Sequence, residues 1–432
     1  MLAQLLAAPP TGALQSTATV EEVVSPGGVR AYLMREPAIP FLSLSLHFRG
    51  GTALDPVERQ GLAFMATGLL DEGAGPYDSQ AFRAEIDDHA LRLSFEADRD
   101  GVMGELRTLT EHRAHAFELL RLALTEPRFD PEPVERVRSQ ILADLRRRQT
   151  DPDYLASRGW FAAAFPDHPY GRPSRGTPES VAAITAADCR DFAARHLARD
   201  RLVVGVAGDI TAAELAVLLD ATFGGLPRGT PLPEVPAVAP CLGRTEVLRL
   251  AIPQSVVVFG HGGLERHDPD YYAGYVANYI LGGGGFSSRL LEEVREKRGL
   301  AYSAYSYLHE LDKAPLWLGG VATNNQQVAQ SLAIVRTELA RMAKGELDER
   351  DLADARTYLT GSFPLRLTSN DQVAKALLGM QVWDLGLDFL DRRNGFIEAV
   401  TLEDTRRAAR RLFGQPLLVT IVGEPQGIEA TA

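Results

Sequence analysis

The chain has 432 residues, 45% hydrophobic and 24% charged, and its 57 acidic side chains outnumber 45 basic ones for a net charge of −12. That length exceeds one ordinary core and predicts two or more domains. The acidic balance argues against nucleic acid and anionic membrane surfaces as partners, and no apolar run reaches the roughly 18–20 residues of a membrane span. The opening segment, MLAQLLAAPPTGALQSTATV, has no basic region before its short apolar run, and reads as a tail over residues 1–19 rather than a signal peptide. Cys189 and Cys241 are isolated and form no metal cluster or disulfide framework.

Phe41–Phe48 alternates Leu42, Leu44, Leu46 and Phe48 with Ser43, Ser45 and His47, which predicts a half-buried strand with one polar face. In 61–70, Leu62, Met65, Ala66, Leu69 and Leu70 form one core-facing helical stripe, while Phe64, Thr67 and Gly68 share the other face. Gly68 costs such a helix about 1 kcal/mol relative to alanine unless it packs closely. His112 and His115 lie three apart without a placed third ligand and read as the solvated start of a helix. Asp144, in SQILADL, reads as a solvated helix residue, and His47 and His168 as structural. The first half closes on ITAADCRDFAARHLARDRLVVGVAGD, a helix capped by Thr185 and a buried strand ending at Gly208 and Asp209.

Leu226–Cys241 carries five prolines and reads as an extended, semi-rigid linker. It divides a first domain, 20–225, from a second, 245–432, with 226–244 between them. Ser255–Phe259 then takes the part of Phe41–Phe48. Gly282, Gly283, Gly284 and Gly285 precede Phe286-Ser287-Ser288 and lack the Lys-Ser/Thr of a phosphate loop, so they predict a permissive turn close to another element. Ser287 or Ser288 caps a short charged helix whose apolar edge is Leu290, Leu291 and Val294. Glu293 and Lys297 form an i, i+4 pair, and Gly299 ends the helix in a left-handed turn. A strand begins near Leu300, so Arg295 and Tyr302 flank a helix-to-strand corner. Tyr305 and Tyr307 fall on the other strand face and read as packing residues. His261 and His267 read as loop residues. The end, VTLEDTRRAARRLFGQPLLVTIVGE, repeats the close of the first half: Thr401 and Asp404 stand 216 residues after Thr185 and Asp188, and Gly423 stands 215 after Gly208. A duplicated domain accounts for this.

Leu281–Leu308 resembles the second-domain signature of the pitrilysin, insulinase and mitochondrial processing peptidase family of zinc peptidases. In that family an arginine, followed seven residues later by a tyrosine, holds the substrate; Arg295 and Tyr302 have that spacing. FRGGTALDPVERQGLA and FPDHPYGRPSRGTPES are similar to other family segments. The family's HxxEH zinc motif falls on Phe64, Thr67 and Gly68, and its downstream glutamate on Asp144, 76 residues beyond Gly68. Zinc needs imidazole, thiolate or carboxylate donors, and Asp144 alone offers one.

The resemblance implies an α+β fold: two homologous α/β sandwich domains, each an antiparallel-rich sheet covered by helices, forming half of a clamshell that opens and shuts between domains or subunits. It implies a non-catalytic, substrate-binding subunit, inactive alone, of a heterodimeric zinc metallopeptidase. No cofactor is expected on this chain; the zinc and HxxEH belong to a homologous catalytic partner. Arg295 and Tyr302 would bind substrate and stabilise the oxyanion in trans, with Gly282–Gly285 near the peptide. Unfolded or extended peptides would be the substrates, captured by strand addition. The alternative is a scaffolding homologue, as in respiratory complexes, in which the Arg295–Tyr302 geometry is merely inherited. No Ser-His-Asp or Cys-His arrangement supports a hydrolase with a different site. For a bacterial-type relative, the Ala/Pro/Thr-rich start favours periplasm over cytoplasm.

Overall fold

A computed structural model describes residues 19–431; residues 1–18 of the expected tail lie outside the described residues. Six strands form the first sheet: β1 (Val20–Val24), β2 (Arg30–Arg35), β3 (Phe41–Arg49), β4 (Arg92–Ala97), β5 (Gly101–Leu109) and β6 (Leu202–Gly208), in the order β1-β2-β6-β3-β5-β4. Five form the second: β7 (Thr245–Arg249), β8 (Gln254–Gly262), β9 (Ala301–His309), β10 (Leu316–Asn324) and β11 (Leu418–Gly423), in the order β7-β11-β8-β10-β9. With β1 set aside the two orders are the same, and in each the first and last strands of the half pair in parallel. The remaining pairs are antiparallel.

The repeated sequence blocks fold alike. Thr185 and Thr401 each cap a helix in a reciprocal box with the aspartate three residues on, Asp188 and Asp404. Gly208 and Gly423 end β6 and β11 with positive φ, and a Cβ at either would collide with the head of β3 or β8, at Phe41 or Ser255. Only glycine fits both places.

Each sheet has two faces to cover, and the halves share the task. Leu42, Leu44, Leu46 and Phe48 of β3 pack into a core with Phe117, Leu120 and Phe223 from their own half. The opposite face is covered by helix Asn370–Val382 from the second half. Val373, Ala374, Leu377 and Met380 cluster there with Ala207, and Gly205 lets the backbone of Ala374 approach β6. Gln381 donates to the Val204 carbonyl at 2.7 Å, Asn370 donates to that of Phe41 at 3.1 Å, and the Ser43 hydroxyl donates to Asp371 at 2.6 Å. Reciprocally, helix Pro152–Ala164 of the first half lies on β11 and β8. Trp160, Phe161 and Ala164 pack there with Leu316, Leu318 and Leu418, and the Trp160 indole donates to the Leu418 carbonyl at 3.1 Å.

This exchange corrects one expectation. β3 is not half-buried: Ser43, Ser45 and His47 are buried as well, because the other half covers their face. Trp160 of the first half and Leu377 of the second each lie on the other half's sheet. The stretch 227–244 has no helix or strand and runs along this seam. Val238 N–H donates to the Lys313 carbonyl at 3.0 Å and Cys241 N–H to that of Ala164 at 2.8 Å. His168 reaches the Pro236 carbonyl at 2.9 Å, a structural role. Among the described residues no helix is long and apolar enough to cross a membrane.

His267 lies in a loop, but His261 does not. It sits in β8, fully buried, stacked on Trp317 with ring centroids 4.7 Å apart. Burial pushes its pKa down to about 4, against a hydrogen bond to the Gly262 carbonyl that favours the charged ring. The unfolded chain therefore takes up this proton first as pH falls, so the stability present above about 6.5 is lost progressively toward 4. In denaturant unfolding, wild type is expected to lose stability relative to His261→Phe between about pH 7 and pH 4. A difference that stays constant over that range would show that the ring does not titrate with folding.

Candidate functional site

The zinc-motif positions lie on helix Leu62–Thr67, whose start is held by Asp55: its carboxylate accepts from Gly61 N–H at 2.9 Å and Ala63 N–H at 3.0 Å. Leu62, Met65 and Ala66 face the core. Phe64, Thr67 and Gly68 face a cavity of about 460 Å³ shared with Asp144 and Arg175. The Thr67 hydroxyl donates back to the carbonyls of Ala63 and Phe64, at 2.9 and 3.1 Å. Gly68 is the helix C-cap rather than an interior residue, and a Cβ there would meet nothing closer than 3.5 Å. The helix-interior penalty therefore does not apply, and close packing does not require the glycine.

Asp144, on helix Pro131–Arg148, is only partly solvated. Its side chain is three-quarters buried, accepts from Arg147 and Arg148 at 2.6 Å each, and lies 3.7 Å from Arg175. Burial alone would raise its pKa; the hydrogen bonds from Arg148 and Arg147 outweigh that and hold it below the ordinary value. The Arg175 guanidinium meanwhile lies 4.3 Å from the centre of the Phe64 ring. A fixed cation thus bridges the positions of the motif's first and last ligands. The HxxEH set is lost, and the remaining carboxylate is neutralised from within.

The second constellation lies at the other end of the chain. Ser288 caps a helix of only three residues, Arg289–Leu291, accepting from Leu291 N–H at 3.5 Å. The chain then widens into a π-helical turn, Glu292–Glu296, instead of the regular helix expected. Lys297 pairs with Glu293 at 2.6 Å, and Gly299 turns left-handed at φ +60°. Leu290 and Val294 are buried, which anchors the turn. Here the Arg295 guanidinium lies 4.7 Å from the ring centre of Tyr302 and 5.0 Å from that of Phe286. Such cation–π contacts orient a flexible side chain. Both rings are open to solvent, Tyr302 at 81% exposure and Phe286 at 72%. Phe286 escaped sequence reasoning; its one signal was an aromatic residue directly after the glycine run.

Tyr302 owes its exposure to a register slip. Ser303 pairs with Ala322, Ala301 pairs with Thr323, and Tyr302 is left opposite no residue. A bulge of this kind bends an edge strand and re-aims a side chain, and β9 is the sheet edge. Tyr305 and Tyr307 pack in part: they are 48% and 43% exposed, their rings stack on each other at 6.2 Å, and the Tyr305 ring lies over Gly320. The glycine run beneath β9 is a close-approach turn. A Cβ on Gly282 would collide with Ser306, one on Gly283 or Gly284 would come within 2.9 Å of Asn278 or Tyr279, and Gly285 has φ +58°.

His112 and His115 are not a solvated helix start. Both are half-buried, and His115 meets His89 and Glu85 from another helix.

Restoring the family's donors with Phe64→His, Thr67→Glu, Gly68→His and Asp144→Glu is expected to add no tightly bound zinc while Arg175 remains, because a fixed cation repels the dication. Adding Arg175→Ala should then raise bound zinc by about one per chain over the unaltered protein, measured by elemental analysis. An equal gain with Arg175 present would refute the electrostatic block. Gly282→Ala should destabilise the fold by about 1–3 kcal/mol, as overpacking does, read from the denaturation midpoint.

A model described as Insulinase (Peptidase family M16) matches residues 30–178, and one described as Peptidase M16 inactive domain matches residues 183–359. The chain is 27% identical over 354 residues to the non-peptidase homolog YmxG of Helicobacter pylori, covering 82% of each chain. It is 23% identical over 427 residues to the mitochondrial-processing peptidase subunit beta of Blastocladiella emersonii, covering 95% of this chain and 90% of that one. Among solved structures, a peptidase M16 inactive domain from Pseudomonas fluorescens matches at 25% identity with a TM-score of 0.89, covering 95% of this chain and 99% of the other. Duplicated sandwich domains, these likenesses and a motif helix without its donors lead to one conclusion: the chain belongs to the insulinase, or M16, peptidase family, as a non-catalytic member.

Proposed function

We propose that the chain is the substrate-binding subunit of a two-chain zinc peptidase, whose HxxEH-bearing homologous partner holds the zinc and activates the water. The observation that carries this reading is the Arg295 guanidinium, held between the open rings of Phe286 and Tyr302 in a chain whose own zinc positions are lost. A scaffold has no need of a cation held between two solvent-facing aromatics at the end of an edge strand. In the assembled enzyme Arg295 offers charged donors to a peptide carbonyl. The Tyr302 hydroxyl donates to the oxyanion formed when zinc-bound hydroxide attacks. Two sheet edges support capture of an extended peptide by strand addition. β9 carries Tyr302, and β4 borders the cavity of Phe64 and Asp144 through Phe95 and Glu96.

The test is kinetic, on this chain reconstituted with an HxxEH-bearing homologue. Tyr302→Phe removes one hydroxyl and should lower kcat by ~10²–10³, the usual cost of a lost oxyanion donor. Arg295→Ala should also raise KM, since a charge-assisted contact contributes about 1.5–3 kcal/mol. Zinc content of the pair and formation of the pair should not change. Wild-type turnover in both variants would leave the scaffolding role standing instead.

A further inference from the structure

We propose that Glu85, His89 and His115 form a binding site for a zinc-class divalent transition metal, separate from the family's zinc position. One oxygen from Glu85 and one nitrogen from each ring lie within 4.8 Å of one another. Ligand atoms around a tetrahedral zinc stand about 3.4 Å apart at bond lengths of about 2.1 Å, so small rotamer changes close the site. The three residues come from two helices. Glu85 and His89 sit one turn apart, in the last turn and at the C-cap of helix Ser79–Asp88, and His115 is in the first turn of helix Arg113–Thr125. None of them belongs to the set Phe64, Thr67, Gly68 and Asp144.

Three further features fit a metal better than a plain polar cluster. Nε2 of His115 is shielded from solvent and has no hydrogen bond; a Glu85 oxygen lies 2.8 Å away, out of line for one. The contact with that carboxylate is an ion pair only when the ring is protonated, and a metal ion would take the proton's place between the two. His89 Nδ1 lies 2.9 Å from the Glu85 backbone carbonyl and 3.7 Å from its carboxylate, so this ring is already held beside Glu85. The rings of His89 and His115 lie 4.2 Å apart, with His112 edge-on to His89 at 5.2 Å. Two imidazoles and one carboxylate select zinc, cobalt, nickel or copper over calcium and magnesium, which favour oxygen. The side chains are each about 30% exposed, so an ion can enter. Its role would be a clip joining the two helices, with no part in peptide cleavage.

The full chain, stripped of metal, is titrated with Co²⁺ and then Zn²⁺. The expected result is one equivalent of Co²⁺ giving the visible absorption of a low-coordinate site, displaced by Zn²⁺, with a rise in Tm. His89→Asn and His115→Asn should each weaken binding at least about tenfold and abolish the rise in Tm, while circular dichroism without metal stays unchanged. Asp144→Asn should leave the titration as it is. No saturable binding, or binding that survives the double substitution, would overturn the site. Because the readout uses the chain alone, it stands apart from any failure of the paired-enzyme assay.

Discussion

The reciprocal exchange of two helices is the constraint on which the rest of this molecule depends. Duplication produced two sheets with the same topology and so the same uncovered face. Each half closes that face on the other with one helix, Asn370–Val382 on the first sheet and Pro152–Ala164 on the second. Fully burying a large apolar side chain such as Leu377 contributes about 1.5–3 kcal/mol, and several such residues line each contact. The polar groups trapped there are answered across the seam. Ser43 and Arg107 of the first sheet bind Asp371, and the Trp160 indole reaches the Leu418 carbonyl. Neither half would remain covered without the other.

That interlock shows why the fold does not depend on a metal at the motif helix. The core-facing stripe of helix Leu62–Thr67 and the face carrying Phe64 and Thr67 answer to different forces. The stripe is held by packing, and the helix start by the Asp55 carboxylate. The outer face packs more lightly: Phe64 is only partly buried against the core, and the buried Thr67 hydroxyl is satisfied within its own helix. In place of the family's donors stands a charge arrangement of opposite sense. Arg147, Arg148 and Arg175 converge on Asp144, and Arg175 also covers Phe64. The place that corresponds to the family's zinc motif holds this chain's own cation.

The Arg295 corner kept its form because it is anchored from beneath. Leu290 and Val294 are buried, Gly282 sits against Ser306, and Gly299 turns the chain back toward β9. The π-helical turn and the bulge at Tyr302 are local irregularities, and both serve to bring one guanidinium and two aromatic rings together at a sheet edge.

The sequence by itself determined what is local or follows from chain order. It showed the duplication, the Thr185 and Thr401 caps, the left-handed turn at Gly299, the Glu293–Lys297 pair, the seven-residue step from Arg295 to Tyr302, and the loss of donors at Phe64, Thr67 and Gly68. These depend on neighbours within a few residues, or on the identity of a side chain. The tertiary structure alone decided what covers the polar face of β3, why His261 is buried, which arginines hold Asp144, that Phe286 joins Arg295, and that Glu85 and His89 stand beside His115. Each depends on partners brought together by the fold; Ser43 and Asp371 are 328 residues apart. Alternation and helical period report which side of an element is apolar. They say nothing of what the other half of a duplicated chain will lay against its opposite side.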